Sequence, residues 1–178
     1  MSRGRRLLVI LLAVAWTLAG PAASPATAQS DLEYSVKANY LVRFAAFVEW
    51  PPRAFAGPQA PMVICIMGRD PFGARLERAA RGQTAYGRPL AIRRPASREA
   101  AAGCHILYLG AGAAAPPAES QTGMLLVTDA AAAADRGMIH FVLHDARVRF
   151  HIDEQAARRS GLVISSRLLN LALSVRAD

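Results

Sequence analysis

The 178-residue sequence has few cysteines, few aromatic residues and few charges. It contains two cysteines, 7% aromatic and 19% charged residues. Two cysteines exclude a fold that depends on a dense disulfide framework. A hydrophobic content of 53% excludes a disordered linker or an acidic tail. We therefore expect one globular domain with its own core.

Lysine is also scarce. Basic residues outnumber acidic residues by 21 to 13, the formal net charge is +8 and the pI is 10.7, but Lys37 is the only lysine and alanine is abundant. A bias toward arginine and alanine of this kind is typical of the base composition of the coding sequence and not of selection for charge. The high pI therefore does not indicate a nucleic-acid partner, and we expect none.

The N-terminal segment has the pattern of a secretory signal peptide. Arg3, Arg5 and Arg6 precede an apolar run from Leu7 to Ala19, and Ala26-Thr-Ala28 is an A-x-A cleavage signal. The run is shorter than the roughly 20 residues of a membrane span, so a retained anchor is the weaker interpretation. We predict cleavage after Ala28, a single mature domain of residues 29–178 in the periplasm, and no membrane-spanning segment.

The usual motifs of catalysis and cofactor binding are missing. The sequence has no G-x-G-x-x-G, no P-loop and no G-x-S-x-G elbow, and Gly68-Arg-Asp-Pro-Phe-Gly73 carries a proline and a phenylalanine where a pyrophosphate would need close approach. His140 and His144 are the best candidate metal pair, but a catalytic zinc normally needs three protein ligands. We predict no cofactor, no metal and no catalytic residue.

Helices and short apolar runs alternate along the chain, which indicates an α/β sheet that is largely parallel and has an antiparallel hairpin at one edge. Serine or aspartate caps begin most of the helices. The predicted helices are Leu32 to Glu49, Asp70-Pro71 to Ala80, Ser97 to Ala102, a turn after Asp129, Asp153 to Arg159, and Ser165 or Ser166 to Val175. The predicted strands are Met62 to Met67, Leu90 to Arg93, Cys104 to Leu109, Met124 to Val127, and the hairpin of Met138 to Leu143 and Arg147 to Ile152.

Cys65 and Cys104 each lie in or beside an apolar run. If the two runs are neighbouring strands, the sulfurs meet in a disulfide, which an exported chain favours. The alternative is two buried free thiols that pack as small apolar groups. The sequence leaves both interpretations open.

Three features go beyond what a small core needs. Five aromatic residues lie on the first helix, an arginine set lies near the C-terminus, and an apolar segment runs from Gly161 to Leu169. Each feature has two interpretations: an ordinary structural role, or a surface that binds a partner. The aromatic residues are Tyr34, Tyr40, Phe44, Phe47 and Trp50, and the arginines are Arg147, Arg149, Arg158, Arg159 and Arg167.

Several blocks of the sequence resemble, in order, the YfiR family of bacterial periplasmic proteins. The resemblance covers nearly all of the mature chain, apart from an alanine run at Ala130 to Arg136 where the family usually has a phenylalanine and two glycines. The blocks are Tyr34 to Leu41, Phe44, Phe47 to Pro51, Gly68 to Gly73, Cys104 to Leu107, Gly137 to Val142, Arg147 to Phe150 and Ile164 to Leu169.

The resemblance implies a Rossmann-like, three-layer α/β domain without a nucleotide-binding glycine loop and without enzymatic activity. It further implies a repressor that binds the periplasmic sensor region of a membrane-bound diguanylate cyclase, lowers cyclic di-GMP signalling and biofilm formation, responds to redox state and forms homodimers. By position, Cys65 and Cys104 match family cysteines, and Ile164, Arg167 and Leu168 are our candidates for the partner surface.

One alternative function is a periplasmic module that binds a small molecule and signals through a neighbouring receptor. Its pocket would lie at the carboxyl ends of the parallel strands, near Arg69 and Asp70. A hydrolase or metalloenzyme is the weaker alternative, because no nucleophile or metal cage is evident.

Overall fold

The computed structural model describes residues 25–131 and 136–177. Residues from Leu32 onward form one compact unit, and the residues before it are a separate unit, of which residues 25–31 are described. Most of the predicted signal peptide lies outside the described residues, so its cleavage stays a prediction. No helix in the described ranges is long and apolar enough to cross a membrane.

An eight-stranded, mostly parallel sheet forms the centre of the protein. Its strand order is β10-β8-β7-β6-β5-β2-β4-β3, and a separate antiparallel ribbon pairs β1 with β9. The strands are β1 Val48–Glu49, β2 Met62–Met67, β3 Thr84–Ala85, β4 Arg88–Arg93, β5 Ile106–Leu109, β6 Leu125–Asp129, β7 Ile139–His144, β8 Arg147–Asp153, β9 Val163–Ile164 and β10 Ser174–Arg176.

The pairing agrees with the predicted α/β architecture. β4, β2, β5, β6 and β7 are parallel neighbours, and β7 and β8 form the predicted antiparallel hairpin. All six residues of β2 are buried, as expected for a strand covered on both faces. With helices flanking the sheet, this is the Rossmann-like arrangement that the resemblance implies. The hairpin is not the edge of the sheet, because β10 pairs in parallel with β8 outside it.

The first helix, α1, spans Pro25–Phe47 and packs Tyr40 and Phe44 on the hairpin. The Phe44 ring lies 5.8 Å from that of Phe141 and 5.4 Å from that of Phe150, between centroids, and Tyr40 contacts the same two rings. The prediction of a helix from Leu32 to Glu49 was wrong at both ends. A proline is tolerated in the first turn, so the helix begins earlier, and the backbone at Val48 extends to pair with β9.

The other predicted caps are partly correct. The Asp153 carboxylate accepts from Ala156 N–H and begins α3, Glu154–Arg159, and Gly161 follows that helix with a φ of 77°. Asp70 does not cap a helix. Its carboxylate accepts from Phe72 N–H at 2.7 Å in a local turn, and α2, Ala74–Ala80, begins after Gly73.

The C-terminal prediction was wrong beyond its first turn. Ser165 caps α4, Ser166–Leu169, as expected, but the helix ends after four residues. Ser174–Arg176 is then a strand, although Val175 fits the spacing of a helical stripe. The unsatisfied edge of β8 accounts for the difference, because pairing there satisfies backbone groups of both segments. Three 3₁₀ turns complete the structure: Pro52–Ala54, Glu99–Ala101 and Ala118–Gln121.

Candidate functional site

The direction of the chain along the sheet reverses between β2 and β5, because β4 lies on one side of β2 and β5 lies on the other. In open α/β sheets, ligands bind outside the carboxyl ends of the strands at such a switch point. Here those ends lead into Gly68-Arg69 and Gly110-Ala111. This crevice is therefore the first candidate for a ligand-binding site.

Backbone fills the crevice at the switch point. Arg69 N–H donates to Ala111 O at 3.0 Å, and Gly110 N–H donates to Met67 O at 2.8 Å. A Cβ on Gly68 would lie 2.8 Å from Gly110 O, and one on Gly110 would overlap the Arg69 carbonyl. The two glycines allow the loops to approach closely enough to form hydrogen bonds across the crevice.

The predicted ligand residues at this crevice have other positions. Arg69 is exposed, and Asp70 forms an ion pair with Arg94 at 2.8 Å between Oδ2 and Nε. Glu77 is a second partner of Arg94 at 2.5 Å, and its hydrogen bond to the guanidinium lowers the pKa of Glu77 and raises that of Arg94. Arg69 and Asp70 as ligand residues therefore stay a prediction, to which the geometry adds no support.

A buried ionic cluster lies at the next strand ends along the sheet, at β5 and β6. Lys37 of α1 is 1% exposed and Asp129, the last residue of β6, is also 1% exposed. Lys37 Nζ donates to Asp129 Oδ2 at 2.6 Å and also to Glu33 Oε1. Tyr108 of β5 donates its hydroxyl to Asp129 Oδ2 at 3.2 Å, and Ala131 N–H donates to Asp129 Oδ1 at 3.0 Å.

The pKa directions in this cluster follow from burial and pairing. Burial disfavours the Lys37 ammonium, but its hydrogen bonds to Asp129 and Glu33 outweigh that effect, so the pKa of Lys37 lies above its ordinary value. Burial and the Asp129 charge raise the pKa of Tyr108 far above its ordinary value. The cluster is a fixed cation, carboxylate and phenol, each with a partner, so it has the features of an anchor for α1 and not of a general acid or base.

Sequence reasoning missed this cluster. It assigned Asp129 to a cap and did not use the single lysine. A signal was present, since Lys37, Leu41 and Phe44 share one helical face and the two residues beside Lys37 in that set are apolar. A lysine in such a stripe needs a buried partner.

Cys65 and Cys104 form a disulfide with their Cα atoms 5.8 Å apart. β2 and β5 are neighbouring parallel strands, as the disulfide interpretation required. The bond joins β2 to Cys104, which lies two residues before the start of β5. Cys104 is 4% exposed and lines a cavity of about 480 Å³ together with Arg53 and Arg98.

His105 follows the disulfide and is buried. Its Nδ1 accepts from Val63 N–H at 3.0 Å, so the proton lies on Nε2, which has no hydrogen-bond partner in the described part of the chain. Phe55 stacks on the imidazole at 4.3 Å between ring centroids, and Trp50 donates its indole N–H to His105 O at 3.2 Å. Burial, with a smaller contribution from the Arg88 charge, lowers the pKa of His105. The ring is a neutral core group.

The predicted partner residues separate into core and surface. Ile164 and Leu168 are 4% and 2% exposed and belong to the hydrophobic core, whereas Arg167 is exposed. The apolar side chains that the same segment presents outward are Val163 and Leu171, which are 57% and 55% exposed. The partner surface stays a prediction, and within this segment only Arg167 of the three predicted residues is accessible.

His140 and His144, the candidate metal pair, form contacts with different residues. His140 Nδ1 lies 2.8 Å from Thr128 Oγ1, and the exposed His144 pairs with Asp145. Within residues 25–131 and 136–177, no group of three or more histidine, cysteine, aspartate or glutamate side chains is arranged to hold a metal ion.

Comparison with known proteins identifies a matching family model. The model of the YfiR/HmsC-like family matches residues 34–173. This range contains the whole of the sheet apart from the last strand, both cysteines, and the cluster around Lys37 apart from Glu33. A search of curated proteins finds no match for the chain.

Proposed function

Because the chain belongs to the YfiR/HmsC-like family, which comprises periplasmic regulators of diguanylate cyclase systems, we propose that it represses one such cyclase by binding the enzyme's periplasmic sensor region. The family match is the observation that carries this proposal. The chemistry of the fold supports it, since Gly68 and Gly110 close the crevice in which an α/β enzyme binds its cofactor.

Repression needs only a difference in affinity. If the protein binds the inactive arrangement of the sensor more tightly than the active one by about 3 kcal/mol, the equilibrium of the cyclase shifts by more than a hundredfold. Lower cyclic di-GMP and less biofilm would follow. Reduction of the Cys65–Cys104 disulfide would destabilise the repressor and release the enzyme, which is our proposal for its redox response.

We place the contact on the outward side of the C-terminal segment. Val163 and Leu171 are exposed apolar side chains, and Arg167 lies between them in sequence. Ile164 and Leu168 are buried and fix this segment to the core. The exposed apolar side chains are available for burial against a partner, and arginine is enriched in protein interfaces.

The test is binding of the purified protein to the periplasmic domain of a membrane-bound diguanylate cyclase from the same genome, measured by biolayer interferometry. We expect Val163→Asp and Leu171→Asp each to weaken binding by about tenfold or more, because a buried unpaired carboxylate costs well over 1.4 kcal/mol. Leu143→Asp is the matched control, since Leu143 is 53% exposed and lies on the β7–β8 hairpin. If both variants bind the cyclase domain with the affinity of wild type, the proposed contact surface is wrong.

A cellular experiment tests the function itself. Deletion of the gene should raise cyclic di-GMP, and the wild-type gene should restore it. An unchanged level would remove the cyclase from consideration even if the protein binds it. Two further parts of the proposal have their own measurements: N-terminal sequencing of the exported protein should begin at Gln29, and light scattering should give the mass of a homodimer.

A further inference from the structure

One face of the β7–β8 hairpin is strongly basic. Phe141 and Phe150 point toward α1, so by strand alternation their neighbours point to the opposite face. The cross-strand pairs on that face are His140 with His151, Val142 with Arg149 and His144 with Arg147. Five of these six side chains are histidine or arginine.

A cavity of about 250 Å³ lies at the His140–His151 end of this face. Its polar lining comes from β7, β8, β10 and the residue before Gly137, and consists of Arg136, His140, His151, Asp153, Ser174 and Arg176. At about 30 Å³ per water in the liquid, the space accommodates a tetrahedral oxyanion with several of its waters.

The hydrogen bonds of His140 determine what it offers to the cavity. Thr128 Oγ1 accepts from Gly137 N–H at 2.7 Å, and its hydroxyl can donate to His140 Nδ1, 2.8 Å away. An imidazole that accepts at Nδ1 carries its proton on Nε2. His140 is only 5% exposed, and it lines the cavity.

The charges around the cavity have an excess of cations. Arg176 pairs with Asp153, whereas Arg136 is exposed and forms no ion pair with any residue in the described ranges. Arg136 lies close enough to lower the pKa of both His140 and His151. His151 Nδ1 is held by Ser174 Oγ at 2.6 Å, so its Nε2 is the remaining nitrogen. Among its described lining residues, the cavity therefore presents a guanidinium and imidazole nitrogens and no unpaired carboxylate.

The pKa values of both imidazoles lie below the ordinary value. For His140, burial lowers the pKa most, followed by Arg136, while Asp129 raises it and His151 and Lys37 lower it further. For His151, burial lowers the pKa most, followed by Arg136 and His144. A bound anion favours the protonated form of each imidazole by charge attraction, so its binding should raise both pKa values.

We propose that this cavity binds a phosphate-type oxyanion through Arg136 and the Nε2 atoms of His140 and His151. The ligand is either free inorganic phosphate or the phosphate of an anionic phospholipid headgroup, which offer the same acceptor oxygens. A bound oxyanion would fix Arg136 and link β7, β8 and β10. The site lies on the face of the hairpin opposite α1 and is separate from the crevice at the switch point.

The experiment is an NMR titration of the imidazole nitrogens of the purified protein with inorganic phosphate, up to about 20 mM, matched for ionic strength with chloride. We expect saturable shifts of His140 and His151, a rise in both pKa values, and little change at the exposed His144. Arg136→Gln should weaken binding by about tenfold or more, the usual cost of a lost charge-assisted hydrogen bond. Arg43→Gln, an exposed arginine on α1, is the charge-matched control.

A vesicle flotation assay separates the two sources. Capture by phosphatidylglycerol vesicles, but not by phosphatidylcholine vesicles, that is lost in Arg136→Gln would identify the headgroup. Saturable phosphate binding without vesicle capture would identify the free anion. Shifts that follow chloride as well as phosphate, or affinities unchanged in Arg136→Gln, would overturn the site.

Discussion

Replacement of Lys37 by methionine should cost the protein about 3 kcal/mol. Methionine preserves the length of the side chain, but it removes both hydrogen bonds from Nζ and leaves the Asp129 carboxylate buried at 1% exposure without its cation. Loss of one partner of a buried pair costs about 3–5 kcal/mol. The lower end applies, because the Tyr108 hydroxyl and Ala131 N–H still donate to Asp129.

Thermal unfolding followed by circular dichroism measures this loss. At about 2–4 °C per kcal/mol for a protein of this size, the midpoint should fall by about 6–12 °C. The double variant Lys37→Met/Asp129→Asn should recover most of the loss, because asparagine carries no charge, its Oδ1 still accepts from Ala131 N–H, and its Nδ2 can donate to the Tyr108 hydroxyl oxygen. Arg43→Met, exposed on the same helix, should stay within about 0.5 kcal/mol of wild type.

The pH dependence gives an independent check. The folded-state pKa values of Lys37 and Tyr108 lie above their ordinary values of 10.5 and 10.0. Their stabilisation is therefore complete below about pH 10 and is lost as the pH rises through the folded-state values. Lys37→Met should lose less stability than wild type on this alkaline limb. A Lys37→Met protein as stable as wild type at pH 7 would refute the assignment of the cluster as an anchor of α1.

Three shorter predictions concern the centre of the sheet. Cys65→Ala/Cys104→Ala should lower the free energy of unfolding by about 4 kcal/mol, from the loop-closure entropy of residues 39 apart, and an equal loss on addition of reductant to wild type is expected. Because burial lowers the pKa of His105, the neutral imidazole contributes to the free energy of unfolding above about pH 6.5, and this contribution is lost as the pH falls through the folded-state pKa. In urea denaturation at a series of acidic pH values, His105→Asn should therefore reduce the slope of the free energy of unfolding against pH by up to about 1.4 kcal/mol per pH unit. Identical slopes for the variant and wild type would contradict this prediction. Gly110→Ala should destabilise by about 3 kcal/mol or more in the same assay, because its methyl group would overlap the Arg69 carbonyl, and a neutral effect would show that the crevice opens easily.

The sequence predicted best where local pattern and tertiary environment agree. Met62–Met67 is a strand with the predicted bounds, because a continuous apolar run of that length suits a position buried on both faces. The hairpin of β7 and β8 has strong alternation and a short connection. Asp153 and Ser165 cap their helices because serine and aspartate satisfy the first free N–H groups by purely local bonds.

The failures have a common cause in long-range pairing. Val48 and Ser174–Arg176 are extended because they find strand partners far away in sequence, and no local periodicity records a partner. The same holds for the site. Lys37 and Asp129 are 92 residues apart, so their ion pair follows from how α1 crosses the sheet. The disulfide was one of two interpretations for the same reason, and adjacency of β2 and β5 decided it.

The position of the disulfide also bears on how the molecule tolerates a protease. Cys65 and Cys104 enclose α2, β3, β4 and the 3₁₀ turn at Glu99–Ala101, most of which lies at one margin of the sheet. A single backbone cut anywhere between the two cysteines leaves both fragments covalently attached through the central strands. A nicked molecule should therefore run as one species without reductant and as two species with it.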